Sequence, residues 1–67
     1  MYRIKIVRPD DNQVLYLGHY VNRKPVYWHD PKYAKPFLTR QDAEAEKQRI
    51  KETKGRKVQI HIEPIKT

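Results

Sequence analysis

Residues 2–21, "YRIKIVRPDDNQVLYLGHYV", decide the fold of this chain of 67 residues. Two segments with alternating or branched and aromatic side chains flank "PDDN", whose residues favour turns, and this pattern predicts a β-hairpin. If Arg8 lies opposite Gln13, then Ile6 faces Leu15, and the aliphatic residues of both strands share one side of the sheet. A shift of one residue would place them on opposite sides, so the pattern selects this register.

The segment "FLTRQDAEAEKQRIKETKG" (37–55) carries the clearest helix signal in the chain. Thr39 is the predicted N-cap, Leu38 and Ala43 are expected to form a hydrophobic staple, and Gly55 is the predicted stop signal. Acidic residues near its start and basic residues near its end match the helix dipole. Its predicted buried face is thin and consists of Ala43, Ile50 and the stems of Glu46 or Lys47.

Two further strands complete the predicted topology. "VYWH" (26–29) follows Pro25, which suits an edge strand, and "KVQIHIEPI" (57–65) follows the helix. The predicted class is therefore α+β: a small β-β-β-α-β domain spanning residues 1–67, with a three- or four-stranded, mainly antiparallel sheet and one helix on one face. If the last strand returns beside the first by a right-handed crossover, the spatial order of the strands is 4-1-2-3.

The thin apolar face of the helix leaves room in the core for large side chains from elsewhere. The stretch "PVYWHDPKYAKPF" (25–37) contains the single Trp and the single Phe of the chain. We therefore predict that Trp28 and Phe37 complete the core, since each contributes ~1.5–3 kcal/mol or more when buried. Strand alternation would then turn Tyr27 and His29 towards the opposite side of the sheet.

The composition limits the functions that the chain can perform. It has no Cys and no Ser, which excludes catalysis by a cysteine or serine nucleophile, and its two Gly are too few for a phosphate-binding loop. The three His lack the spacing of a metal site, so no metal or other cofactor is expected. No apolar run is long enough to cross a membrane and the N-terminal segment carries charges, so we expect no membrane partner and a cytoplasmic location.

The chain is basic throughout its length. Its formal net charge is +7, from 15 Lys and Arg against 8 Asp and Glu. Residues 1–38 contribute +4 (seven basic and three acidic) and residues 39–67 contribute +3 (eight basic and five acidic). A small domain with this charge attracts polyanions at long range, so the expected partner is nucleic acid or an acidic protein.

The side of the sheet opposite the helix is the predicted binding surface. Basic residues there would contact phosphates, while tyrosine rings would stack on bases or pack on sugars. The lead prediction is a non-enzymatic nucleic-acid-binding module. The predicted nucleic-acid-binding residues, on this side of the sheet and at the adjoining loop, are Arg3, Lys5, Tyr16, Tyr20, Arg23, Lys24, Tyr27, Lys57 and His61.

Two alternatives stay open. Tyr beside Lys is common on any exposed strand, so the same surface could dock an acidic protein, as an inhibitor or adaptor, or be hidden in a homodimer. His61 and Glu63 lie two residues apart on one strand face with Lys57. A small metal-independent RNase could use such an arrangement for acid–base catalysis.

Two resemblances bear on the function. The spacing of Trp28, Ala34, Phe37, Thr39 and Ala43 resembles a pattern in small phage and prophage proteins of unassigned function, which implies an accessory role. The segment "FLTRQDAEAE" is similar to the strand-to-helix junction of three-stranded-sheet DNA-binding domains, of the plant ethylene-response and integrase arm-binding types. That similarity implies β-β-β-α order and a sheet face that enters the DNA major groove. This chain differs from those domains in its strand after the helix and in the few Arg of its sheet.

Overall fold

The computed structural model describes residues 1–54 and 58–65. The strands and the helix are β1 (Tyr2–Val7), β2 (Val14–Val21), β3 (Lys24–Trp28), α1 (Arg40–Lys54) and β4 (Gln59–Pro64). The four strands form one antiparallel sheet in the order β3-β2-β1-β4, and a short 3-10 turn, Pro31–Tyr33, lies between β3 and α1. The predicted α+β class and β-β-β-α-β order are confirmed.

The register of the β1–β2 hairpin is the one that the apolar pattern selects. Ile6 pairs with Leu15, and the N–H of Arg8 donates to the carbonyl oxygen of Gln13 at 2.9 Å. In the turn, the carboxylate of Asp11 accepts a hydrogen bond from the N–H of Gln13 at 3.1 Å. Asp is common in turns because its side chain bonds to the backbone two residues further on. The strand β4 returns beside β1 as predicted, but it runs antiparallel to β1, so the handedness rule for parallel crossovers does not apply.

The hydrophobic core lies between α1 and one side of the sheet. Its buried hydrophobic residues are Ile4, Ile6, Leu17, Phe37, Ala43, Ile50 and Ile60. The hydroxyl of Thr39 accepts the N–H of Asp42 at 3.2 Å, which confirms the predicted N-cap. Leu38 is 73% exposed, so the predicted hydrophobic staple does not bury it. The predicted stop signal Gly55 lies outside the described residues.

A β-bulge in β2 reverses the side on which the following residues lie. Leu17 pairs with Tyr27 whereas Tyr20 pairs with Pro25, so β2 uses three steps where β3 uses two. The extra residue shifts the alternation of side chains by one position. Tyr20 therefore points towards α1, where its hydroxyl donates to the carboxylate of Glu46. The prediction that Tyr20 lies on the side opposite the helix is wrong for this reason.

The two aromatic residues at the end of β3 are also on the opposite sides from those predicted. Tyr27 packs against the core, because its partner Leu17 is a core residue. Trp28 pairs with Tyr16 on the other side and is 43% exposed, so its predicted place in the core is wrong. Phe37 is 7% exposed, which confirms the core prediction for that residue.

Candidate functional site

The side of the sheet away from α1, called here the open face, carries a row of residues that crosses all four strands. His61 on β4 pairs with Lys5 on β1, Lys5 with Tyr16 on β2, and Tyr16 with Trp28 on β3. Neighbouring strands lie ~4.8 Å apart, so this cross-sheet row is about 14 Å long. It is basic at the β1 position and aromatic towards β3.

Tyr33 adds a third ring to the aromatic end of the row, from the connector that leads from β3 back to Leu17 on β2 and Tyr2 on β1. Its ring centre lies 5.0 Å from that of Trp28, with the planes inclined at 40°. Tyr33 belongs to the 3-10 turn, which begins where the carboxylate of Asp30 accepts the N–H of Lys32 at 3.0 Å. Tyr33 is 50% exposed. Tyr16, Trp28 and Tyr33 together form what we call the aromatic platform.

Two cations lie directly over rings of the aromatic platform. The guanidinium of Arg3 is 5.3 Å from the centre of the Tyr16 ring, and the ammonium of Lys32 is 5.2 Å from the centre of the Tyr33 ring. Both distances fall within the range of cation–π attraction, which contributes ~0.5–1 kcal/mol at exposed sites. These contacts hold positive charge next to exposed ring surface.

One carboxylate shares the open face with these cations. Oε1 of Glu63 lies 3.6 Å from Nε of Arg3, and the two side chains are only about a third exposed or less. Both atoms are buried and the gap is too long for a hydrogen bond, so the contact is an ion pair only. Glu63 offsets part of the charge of Arg3, and Lys5 and Lys32 add further positive potential beside the aromatic platform.

The structure brings together four of the predicted binding residues: Arg3, Lys5, Tyr16 and His61. Arg23 lies in the two-residue turn between β2 and β3, and Lys24 is exposed at the start of β3, so both are at the far end of that hairpin. Lys57 lies outside the described residues. Tyr20 and Tyr27 lie on the helix side.

The two tyrosines on the helix side surround a buried acid. Glu46 is 9% exposed, accepts the hydroxyl of Tyr20 and lies 3.6 Å from the guanidinium of Arg49. The hydrogen bond to Glu46 is the main reason that the pKa of Tyr20 is raised to about 12, and burial adds to it. Burial raises the pKa of Tyr27, and the charge of Glu46 adds to that rise. These rings stabilise the packing of α1 on the sheet.

Trp28, Tyr33 and Lys32 are the open-face residues that the sequence pattern did not assign to binding. The signal that points to Trp28 is Gly18, because a glycine inside a strand marks a bulge or a close approach of another group. Both occur here. A β-carbon added to Gly18 would lie 2.5 Å from Nε1 of Trp28, so the indole occupies the space that a side chain would need.

His61 and Glu63, the pair considered for an RNase, face different neighbours across the β1–β4 ladder. His61 lies opposite Lys5 and Glu63 lies opposite Arg3. Within residues 1–54 and 58–65, no group of three or more His, Asp or Glu is placed to hold a metal ion. No helix in the same ranges is long and apolar enough to cross a membrane. Comparisons with protein-family models, curated proteins and solved structures find no match to this chain.

Proposed function

We propose that this protein is a non-enzymatic binding module for nucleic acid and that it binds through the open face. The observation that carries this proposal is the aromatic platform, whose exposed rings lie beside Lys5, Lys32 and Arg3 in a chain of net charge +7. Cations of this kind contact phosphates, and each ring that stacks on a base contributes ~1–3 kcal/mol.

Salt dependence distinguishes phosphate contacts from apolar attraction. Each neutralised phosphate releases counterions, so the affinity falls as salt rises, in proportion to the number of contacts. If three cations of the open face contact phosphates, the affinity should fall ~20- to 40-fold between about 50 and about 200 mM salt. A surface that binds through apolar contact alone would show little change.

A charge-matched pair of variants tests the site. Lys5→Gln removes one positive charge from the cross-sheet row. Arg40→Gln removes one from α1, on the opposite side of the sheet, where Arg40 forms only a surface ion pair with Glu44 at 3.7 Å. Fluorescence anisotropy with mixed-sequence DNA and RNA should show weaker binding and a salt slope reduced by about one for Lys5→Gln. Arg40→Gln should bind like the parent protein.

Two results would contradict the proposal. The first is no binding of either nucleic acid at about 50 mM salt, where phosphate contacts are strongest. The second is an equal loss for Lys5→Gln and Arg40→Gln, which would mean that the net charge acts and the open face does not.

A protein-interaction module is the second candidate, and the exposed apolar residues around the edge strand favour it. Val21 is 57% exposed and Trp28 is 43% exposed, and β3 has no neighbour on its outer side among the described strands. Exposed strand edges are templates for pairing with another chain. Sedimentation velocity over a range of concentrations measures this directly. A dimer that Trp28→Ala dissociates would favour the second candidate over the first.

A further inference from the structure

We infer that the open face binds single-stranded nucleic acid, with unpaired bases stacked on Trp28 and Tyr33 and the backbone held by Lys32 and Arg3. This inference rests on the proposed function and specifies its ligand. It separates the chain from sheet-faced domains that read double-stranded DNA.

The two rings present surface that only an unpaired base can use. Trp28 and Tyr33 are 43% and 50% exposed, and they lie at the end of β3 and in the 3-10 turn that follows it. In a duplex, each base face is covered by its neighbours, and only base edges are open in the grooves. Ring faces stack on bases of any sequence once those bases are unpaired. The platform therefore matches a single strand.

The arginine content of the sheet argues against reading of a duplex groove. Arg contacting guanine edges is the commonest specific contact in the major groove. Arg3 is the sole arginine within the four strands, and it lies beside Glu63 at 3.6 Å and over the ring of Tyr16. A guanidinium held in this way faces a ring and a carboxylate of its own protein. It is suited to steer a phosphate and poorly placed to enter a groove.

A shallow cavity next to Tyr33 supplies a place for the sugar and phosphate. It has a volume of about 500 Å³, and its lining combines Arg3, His19, Lys32 and Tyr33 with apolar residues such as Met1 and Ile65. Cavities of ~300–1,000 Å³ hold small organic ligands, so this one is large enough for a nucleotide unit. Its basic residues suit the phosphate while the ring of Tyr33 suits the base.

The rings are held in place before any ligand arrives. The indole of Trp28 lies over Gly18, with Nε1 and Cδ1 at 2.5 and 2.6 Å from the position that a β-carbon would take. The turn that carries Tyr33 is fixed by Asp30, whose carboxylate accepts the N–H of Lys32, and by a bond from the N–H of Ala34 to the carbonyl oxygen of Pro31 at 3.1 Å. Rings that are already ordered lose little freedom on binding, which favours affinity.

The test uses the fluorescence of Trp28, which is the single tryptophan of the chain. Unlabelled oligothymidine of about 12 nucleotides, within the site sizes of single-strand-binding folds, is titrated into the protein, and a matched duplex is titrated in parallel. Base stacking should quench the emission with the single strand. Anisotropy of labelled strands should give an affinity at least ~10-fold higher for the single strand than for the duplex.

Three variants locate the contact. Tyr33→Ala should weaken single-strand binding ~5- to 150-fold, which corresponds to the stacking of one base, and should leave duplex binding almost unchanged. Lys32→Gln should weaken single-strand binding less, and it should reduce the slope of log affinity against log salt concentration by about one. Leu38→Ala removes an apolar side chain that is even more exposed than Tyr33, near the start of α1, and should have no effect. Circular dichroism confirms that each variant is folded.

The failures of the two proposals give different results. If the duplex binds as tightly as the single strand, and Lys5→Gln weakens both, the single-strand inference is overturned and the proposed function stands. If neither strand binds at about 50 mM salt, both fall. If the emission of Trp28 changes with protein concentration in the absence of oligonucleotide, a second copy covers the platform and the single-strand inference is overturned.

Discussion

Gly18 determines where the indole of Trp28 can lie. A β-carbon at this position would be 2.5 Å from Nε1 of Trp28 and 3.1 Å from the carbonyl oxygen of Val26. The indole would have to move, and the carbonyl belongs to the backbone of β3, which moves less easily. We expect Gly18→Ala to lower the free energy of unfolding by ~1–3 kcal/mol, the usual cost of overpacking, and to push the indole towards solvent.

Urea unfolding measures the stability change for Gly18→Ala, and the emission wavelength of Trp28 reports the displacement of the ring. His19→Ala changes the next residue of the bulge without adding a β-carbon, so it serves as the control and should cost less than ~0.5 kcal/mol. If Gly18→Ala left both the free energy of unfolding and the emission wavelength unchanged, the indole of Trp28 would not rest on Gly18.

Tyr20 links stability to alkaline pH. Its pKa is about 12 in the folded protein because its hydroxyl donates to Glu46, whereas an unfolded tyrosine has a pKa of ~10. The folded state therefore holds this proton more tightly, and the stabilisation is complete below about pH 10 and is lost as the pH rises through about 12. Tyr20 is 37% exposed, so solvent screening reduces the effect of the two-unit shift to ~1 kcal/mol.

Tyr20→Phe should remove this pH dependence. The variant loses ~1–3 kcal/mol at neutral pH, because the carboxylate of Glu46 keeps its burial and loses its hydroxyl donor. Chemical unfolding at several values between about pH 8 and pH 12 should show the difference between parent and variant shrinking as the pH rises through that window. A constant difference would contradict the role of the Tyr20–Glu46 bond. Comparing the two proteins cancels the titration of lysines.

At the scale of single elements, the β2–β3 turn contains strain that a glycine would relieve. Asn22 and Arg23 have φ angles of 51° and 65°, which is the two-residue type I′ turn of a tight hairpin. Asn tolerates positive φ angles, but an arginine in this conformation destabilises the folded protein by ~1–2 kcal/mol. A glycine avoids that strain and costs ~0.5–1 kcal/mol, because it loses more conformational entropy on folding. Arg23→Gly should therefore stabilise the protein by ~0.5–1 kcal/mol.

Thermal unfolding of Arg23→Gly should show a melting temperature raised by several degrees, since ~1 kcal/mol shifts it by ~4–8 °C in a domain of this size. Arg23→Ala removes the same charge and keeps the strained conformation, so it should not be stabilised. If both variants gain equally, relief of charge repulsion explains the gain and the strain does not.

The elements whose residues repeat regularly could be predicted from the sequence. The pairing of Ile6 with Leu15 follows from alternation on both strands, and the start of α1 follows from the capping chemistry of Thr39. Beyond Gly18 the same alternation fails. One extra residue in β2 places each later residue of this strand on the opposite side of the sheet from the one that alternation predicts. That single step moved Tyr20 to the helix side. The side of the sheet on which Trp28 lies depends on its pairing with Tyr16. This pairing is a long-range contact and gives no periodic pattern in the sequence.

At the scale of the whole molecule, the two sides of the sheet have different chemistry. The helix side holds the apolar core and the buried acid Glu46, and α1 carries four acidic residues against five basic ones. The open face carries the aromatic platform with Arg3, Lys5 and Lys32. The charges of α1 nearly cancel, whereas cations lie beside exposed rings on the open face, so a polyanion that approaches this basic domain is attracted more strongly to the open face.

Because a chain of 67 residues buries a small core, a bound ligand should raise its stability visibly. A ligand at 100 times its dissociation constant adds ~2.7 kcal/mol, which corresponds to a melting temperature ~11–22 °C higher for a domain of this size. Oligothymidine should give this shift at about 50 mM salt, and most of it should vanish at about 500 mM. Tyr33→Ala should show a smaller shift at the same oligonucleotide concentration.

The control for this measurement is polyglutamate of equal charge, which attracts the basic chain but has no rings to stack on Trp28 and Tyr33. Polyglutamate also binds the unfolded chain through charge, and such binding reduces or reverses stabilisation. We therefore expect oligothymidine to raise the melting temperature and polyglutamate to leave it nearly unchanged. Equal shifts for both polymers would mean that charge alone holds the ligand, since the two share negative charge and differ in the bases.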